Sequence, residues 1–437
     1  MDPVDIGFLS VLAIVVLIYL GVYIPVALAG VSFVTLWLVS ERPILAVNFL
    51  RQAIGDSVTE YEFATIPLFT FMGLIVSRAG LGTDVYRVMN HLFQRVRGGV
   101  GMATVGANAL FAAVTGSSIA SASVFTRVAV PEMLRLGYNK RFAVGVVAGS
   151  SVLGMIIPPS AMLIIYAFVA EVSVGDMFIA GIIPGLLLTV AYIGAIAAMG
   201  WLTPGFIGGT TPDPDTREQL SARDILACTL PVASLIVIVL GGIYTGWLTP
   251  VEAGAAGSLA ALVIARFRRS MTWGAFWQSL LETGHITASI LFLITAASFY
   301  SRMLGYVDLP NQLHEFLVGN QLEFFWVMVV YVLLMLFLGT LLDTASVILI
   351  VVPLFIDIVE PMGLSLVWFG IITVIGAEIG LLTPPLGISC FVIKATLNDD
   401  RISLKDVFMG ALPFAAVMLC VLILLIWQTG LSTYLLN

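Results

Sequence analysis

Charge is what this sequence has least of. Only 10% of its 437 residues are Asp, Glu, Lys or Arg, whereas 60% are apolar, and the mean hydropathy is +1.07. A soluble domain carries roughly a quarter charged residues, so a soluble fold is excluded and the bilayer is the solvent. Cysteine is scarce as well. Cys228, Cys390 and Cys420 stand in apolar segments, without the spacing of a disulfide framework or a zinc site. The three histidines, His91, His285 and His314, lie far apart and read as structural rather than metal-binding. A net charge of −7 offers no basic surface to nucleic acid. There is no HExxH, no paired-aspartate motif for a Mg²⁺-diphosphate and no nucleophile–base pair, which argues against a membrane-embedded enzyme. The segment Met1-Asp2-Pro3-Val4-Asp5 lacks a basic n-region and no small-residue cleavage site follows, so the first apolar stretch is expected to be a retained span.

What is present is a succession of apolar runs near the roughly 20 residues that cross a hydrocarbon core of about 30 Å. Hydropathy predicts spans near 6–22, 25–40 and 62–79, followed by a polar stretch over 80–98. A long apolar segment, 100–133, is interrupted at Thr115-Gly116-Ser117-Ser118. A span over 141–168 is broken at Pro158-Pro159, and another covers 177–201. The stretch 203–223 is the only long polar linker. Within 81–97, Val85, Val88, Met89, Leu92, Phe93 and Val96 recur at helical spacing opposite Asp84, Arg87, His91 and Arg95. That pattern predicts an amphipathic helix in the membrane interface, with a counterpart in 309–319.

After the linker the sequence starts again. At an offset close to 224 residues, Pro25-Val26 matches Pro250-Val251, and Ser77-Arg78 matches Ser301-Arg302. Ala122-Ser123-Val124 matches Ala345-Ser346-Val347, and Gly154 with Pro158-Pro159 matches Gly380 with Pro384-Pro385. Gly181 with Pro184 matches Gly410 with Pro413. Ordered matches of this kind indicate a duplication, dividing the chain into repeats 1–202 and 224–437. Each repeat returns once at its interrupted segment and makes five net crossings, an odd number, so the second repeat is expected upside down. Threaded this way, Arg42, Arg51 and Arg302 share the N-terminal side and the other sixteen Lys and Arg take the opposite face. The positive-inside rule makes that second face cytoplasmic and leaves both termini outside.

Irregular backbone at membrane depth survives only where protein or a water-lined cavity satisfies its polar groups. Four places qualify: tips at Thr115–Ser118 and Gly339–Thr344, and breaks at Ile157–Ser160 and Thr383–Gly387. Their glycine and proline carbonyls and Ser/Thr hydroxyls could form oxygen cages for a monovalent cation. Half-helix N-termini would favour an anionic solute between them. The plainer alternative is that small residues merely let helices pack closely. Among ionisable residues, Asp343 in the second tip is read as ion-linked rather than as a helix cap, whereas Glu378 serves equally well as a structural hydrogen-bonding group. Glu252 marks a helix start, and Arg78 and Arg302 snorkel at opposite interfaces.

Longer motifs carry a resemblance. GSSIASASV from Gly116 to Val124, VPEMLRLGYN from Val130 to Asn139 and the run from Gly154 to Thr189 resemble the large membrane (M) subunit of TRAP (tripartite ATP-independent periplasmic) transporters. LGTLLDTAS from Leu338, EIGLLTPPLGI from Glu378 and KDVFMGALPFA from Lys405 agree, so the resemblance covers nearly the whole chain. It implies an all-α polytopic membrane protein of two inverted repeats, each with a re-entrant helical hairpin and a proline-broken transmembrane helix. The implied function is sodium-coupled uptake of a small organic acid (a dicarboxylate, a sialic acid or a similar carboxylate) by an elevator motion.

The implied moving part is approximately 98–202 with 320–437, and the scaffold approximately 1–80 with 224–300. Implied partners are a small four-span membrane subunit (Q) and a periplasmic substrate-binding protein (P), in a bacterial or archaeal inner membrane. Carried over by position, a first sodium site uses Gly116, Ser117, Ser118, Gly154, Ile157 and Pro158, and a second uses Gly339, Asp343, Thr344, Gly380, Thr383 and Pro384. Thr115, Ser160, Thr340 and Ser389 are expected at the substrate cavity, with Na⁺ as coupling ion and no other cofactor. Two positions depart from the family's pattern: Gly149-Ser150-Ser151 stands where relatives often have Gly-Gly-Thr, and Ser389 where they often have asparagine. The alternative to a tripartite system is a binding-protein-independent symporter for divalent anions with the same architecture.

Overall fold

The computed structural model describes residues 3–209, 219–319, 324–385 and 387–436, and among them every regular element is a helix. The first half runs α1 (Pro3–Tyr19), α2 (Ile24–Ser40), α3 (Pro43–Thr59), α4 (Thr65–Arg78), α5 (Leu81–Phe93), α6 (Gly99–Thr115), α7 (Ser118–Arg135), α8 (Lys140–Ser151), α9 (Ala161–Val169) and α10 (Val174–Leu202). The second half runs α11 (Ala222–Ile236, continued through a π turn), α12 (Pro250–Phe267), α13 (Trp273–Tyr306), α14 (Leu309–Gly319), α15 (Phe324–Gly339), α16 (Thr344–Val359), α17 (Leu366–Leu381), α18 (Ile388–Leu397) and α19 (Leu404–Trp427). Among the described residues, five helices are long and apolar enough to cross a bilayer unaided, or up to seven if each of two bent pairs counts as one span.

Local chemistry sets the helix ends. Ser117, Asn139, Ser160 and Ser173 cap α7, α8, α9 and α10 with their side-chain oxygens, as short polar residues do. Glu252 does mark a helix start: it completes a capping box with Thr249 at the N-terminus of α12. Ser403 and Asp406 form the same device on α19.

Two features differ from the hydropathy expectation. Residues 43–59, to which no span was given, fold as α3, because a polar helix with Arg51 and Asp56 can pack along α13 without being apolar all round. In the second half the equivalent stretch is the single 34-residue helix α13. Asp84, expected on the exposed face of α5, is instead buried and ion-paired with Arg268, which reaches it from beyond α12. α5 bends 63° away from α4 and lays Leu81, Val85 and Val88 against the bundle, while Leu92 and Val96 stay exposed. The expected counterpart over 309–319 is helical as α14, although several of its side chains, His314 among them, lie outside the described residues, as does most of the linker, 210–218.

The halves pack with exchanged roles. α4 packs on α12 as α13 packs on α2, α7 on α18 as α16 on α9, and α8 on α19 as α17 on α10. Each interrupted segment of one half therefore lies beside the proline-broken segment of the other. The closest of these contacts is glycine-built: a Cβ on Gly145 of α8 would meet the Gly410 carbonyl oxygen of α19 at 2.1 Å. Lys140 and Arg141 seal the end of that pair by gripping Asp406 at 2.8 and 2.9 Å.

Candidate functional site: paired tips and broken helices

The four irregular stretches fall where sequence placed them. α6 stops at Thr115, Gly116 takes a left-handed conformation at φ 62°, and Ser117 begins α7 by accepting from the Ala120 amide at 3.3 Å. Facing it, the chain is extended from Ile157 through the cis pair Pro158-Pro159 to Ser160. Tip and break touch by backbone. A Cβ on Gly116 would lie 2.3 Å from the Pro159 carbonyl oxygen, and one on Gly154 would lie 2.7 Å from the Ser117 carbonyl oxygen. The Ala161 amide also donates to the Gly116 carbonyl at 3.5 Å. Of the six residues expected at the first site, Gly116, Ser117, Ser118 and Gly154 meet in this contact, whereas Ile157 and Pro158 pack against Gly185 and Gly181 of α10.

The second half builds the same contact. α15 ends at Gly339, α16 begins at Thr344, and the chain is irregular from Leu382 past the cis pair Pro384-Pro385 to Gly387, with Leu386 outside the described residues. A Cβ on Gly380 would lie 2.5 Å from the Gly339 Cα. The Thr383 hydroxyl donates to the Gly380 carbonyl at 2.8 Å, and Thr344 donates to Glu378 Oε1 at 2.7 Å. Glu378 is fully buried and its other oxygen has no partner among the described residues. Asp343 caps α16, accepting from the Ser346 amide at 3.4 Å and from the Ser346 hydroxyl.

A cavity of about 610 Å³ opens beside the first tip. Its walls are one face of α7 with the tip and α9 on one side, and α4 with α13 on the other. Of the four residues expected at a substrate cavity, Thr115 lines it. Ser160 is buried and bonds the Met155 carbonyl, Thr340 bonds the Phe337 carbonyl at 2.8 Å, and Ser389 is buried in the first turn of α18. Two features escaped the sequence reading. Behind the first tip, buried Asn108 donates to Ser150 at 2.7 Å, and an amide at membrane depth in a Gly/Ala/Val-rich helix was the available signal. Gly73 of α4 seats the tip, since a Cβ there would lie 2.7 Å from the Thr115 carbonyl oxygen. Arg78 and Arg302, expected to snorkel, each bind across the two halves of the chain, to Glu282 at 2.9 Å and to Asp56 respectively.

Residues 11–431 match the family described as the DctM component of tripartite ATP-independent periplasmic transporters. The chain belongs to that family. It is 33% identical over 399 residues to the C4-dicarboxylate TRAP transporter large permease DctM of Pseudomonas aeruginosa, covering 90% of each chain. It is 28% identical over 381 residues to the sialic acid large permease SiaM of Vibrio cholerae, covering 86% of this chain and 87% of that one. Against the isethionate permease DctMQ of Oleidesulfovibrio alaskensis, at 29% identity over 412 residues, this chain covers only 63% of the relative's length. Among solved structures, the YdaH transporter of Alcanivorax borkumensis superposes with a TM-score of 0.63 at 15% identity, covering 88% of this chain and 89% of that one, a likeness of fold. The chain is thus a multi-pass TRAP large permease and not an enzyme. Membership implies a small membrane subunit and a periplasmic binding protein as partners.

Proposed function

We propose that this permease imports a small organic acid, a dicarboxylate, sialic acid or similar carboxylate, by sodium symport with an elevator motion. The observation that carries the proposal is the repeated tip-and-break contact, with glycine backbone apposed in both halves and a cavity at one of them. Such a contact concentrates carbonyl and hydroxyl oxygens where a monovalent cation can shed water, and the donor set fits Na⁺. In the first half Gly116, Ser117, Ser118, Gly154, Ile157 and Pro158 would hold it. In the second, Gly339, Asp343, Thr344, Gly380, Thr383 and Pro384 would do so. Asp343 already caps α16 in this state, so it would bind an ion through lone pairs left free by Ser346.

Charge movement supports two sites. Carrying one charge across about 100 mV is worth roughly 2.3 kcal/mol, so a divalent anion needs at least two cations to enter without opposing the voltage. The moving body would comprise α6 to α10 and α15 to α19. The scaffold would comprise α1 to α4 and α11 to α13, with α5 and α14 as interfacial links. The two repeats would sit inverted in an inner membrane with both termini outside, which agrees with the one-sided distribution of Lys and Arg. The partners would be a four-span Q subunit and a P protein delivering the acid.

The test is uptake of labelled C4-dicarboxylates and sialic acid into proteoliposomes holding this chain with its Q subunit, with the cognate binding protein supplied outside. The expected result is uptake that needs an inward sodium gradient. Uptake indifferent to sodium, or none for any acid tried, would sink the proposal.

A further inference from the structure

The cavity beside the first tip has two ends of different chemistry. At the tip end its wall is neutral, formed by Thr115, Gly116 and Ser117. At the far end it meets Ser77, Arg127 and Glu282, the last two being its only charged lining residues. Glu282 is engaged: Arg78 binds it at 2.9 Å and also donates to Gln278 at 3.1 Å. Arg127, which is exposed, makes no ion pair among the described residues. It shares its face of α7 with Ile119, Ala120, Ser123 and Val124, which also line the cavity, so the guanidinium belongs to the cavity rather than to a lipid-facing side.

Ten residues of helix separate Arg127 from Ser117, or about 15 Å at 1.5 Å per residue. That is half of a hydrocarbon core of about 30 Å, which sets Arg127 at the membrane boundary when the tip is at mid-depth. The cavity thus leads from a neutral tip to a single uncompensated cation at its mouth. A guanidinium offers a planar donor fork that matches a carboxylate, and a charge in a low-dielectric cleft acts over a longer reach than one in open water.

We propose that Arg127 forms a second, peripheral anion subsite at the cytoplasmic mouth, engaging the carboxylate of the solute as it passes between the tip and the cytoplasm. This subsite rests on the organic-acid function and the membrane orientation proposed above. A phospholipid headgroup carries a similar anion, so the test separates the two sources. Solute exchange is measured in proteoliposomes of the complete permease with its binding protein and sodium supplied, made once with zwitterionic lipid alone and once with added anionic lipid. Arg127→Gln is expected to raise the internal solute concentration for half-maximal exchange about 10- to 150-fold, the range set by a charged hydrogen bond. The external half-saturation should shift by less than about threefold, and Arg127→Lys should recover most of the loss. Arg135→Gln removes an equal charge from the same helix outside the cavity, where Arg135 pairs with Glu132 at 2.8 Å, and should change neither value.

An unchanged internal value in Arg127→Gln, equal shifts on both sides, or the same shift in Arg135→Gln would overturn the subsite. So would an effect confined to vesicles containing anionic lipid, which would assign Arg127 to a headgroup. If wild-type protein exchanges no carboxylate at all, the organic-acid function itself falls and the subsite with it.

Discussion

A single methyl group at Gly154 should disable the proposed first sodium site while leaving the fold intact. The added Cβ would stand 2.7 Å from the Ser117 carbonyl oxygen and 3.0 Å from the Ser118 amide nitrogen, where ordinary contact begins at 3.4 Å. Tip and break must therefore separate by about 0.7 Å, the difference between 3.4 and 2.7 Å. Metal–ligand distances tolerate only about 0.2 Å, so a cage shared between tip and break cannot survive the shift unstrained. Overpacking of this kind costs about 1–3 kcal/mol. If that strain falls on the ion-loaded state, Gly154→Ala should weaken sodium activation about 5- to 150-fold. The assay is the sodium concentration for half-maximal uptake in proteoliposomes, with monodispersity in detergent as the folding control. A well-folded Gly154→Ala protein with wild-type sodium activation would refute the shared cage.

Three further outcomes follow from contacts elsewhere. Gly145→Ala drives a methyl onto the Gly410 backbone, where α8 and α19 meet, and should lower thermal stability and membrane yield, whereas Gly194→Ala, with open space around it, should do neither. Thr344→Val removes the one hydrogen-bond donor to buried Glu378 among the described residues. It should lower thermal stability by about 1–3 kcal/mol or more, and adding Glu378→Gln should recover part of that; a neutral Thr344→Val would contradict the assignment. Gly73→Leu fills the seat on α4 that receives the Thr115 carbonyl, so uptake should slow sharply while sodium binding to the detergent-solubilised protein stays within about threefold of wild type. Loss of sodium binding there would mean that Gly73 supports the site rather than the docking of the tip.

Much of the site was legible because broken backbone at membrane depth has few spellings. Glycine beside serine, or paired prolines, cannot continue a helix, and a bilayer tolerates such stretches only where protein covers them. Thr115–Ser118 and Ile157–Ser160 were therefore readable without neighbours, and the 224-residue offset carried them to their counterparts. Contacts across the fold were not readable. Nothing along the chain reveals that Gly73 receives the Thr115 carbonyl, or that Arg302 of α13 reaches Asp56 of α3. α3 itself escaped because it packs on α2 and α13 with a narrow buried stripe that includes Ala46 and Ala53, so its sequence carries no long apolar run. Asp84 misled in another way: periodicity assigned it to the polar face, and Arg268 from elsewhere in the chain made its burial affordable.

Sodium coupling and partner dependence, as proposed for this permease, meet in one experiment: uptake into proteoliposomes containing this chain and its Q subunit, with the cognate binding protein and an inward sodium gradient each supplied or withheld. Accumulation is expected only when both are supplied. Accumulation that needs sodium but proceeds without the binding protein would contradict that proposal, and would make this chain a self-sufficient carrier built on the same fold.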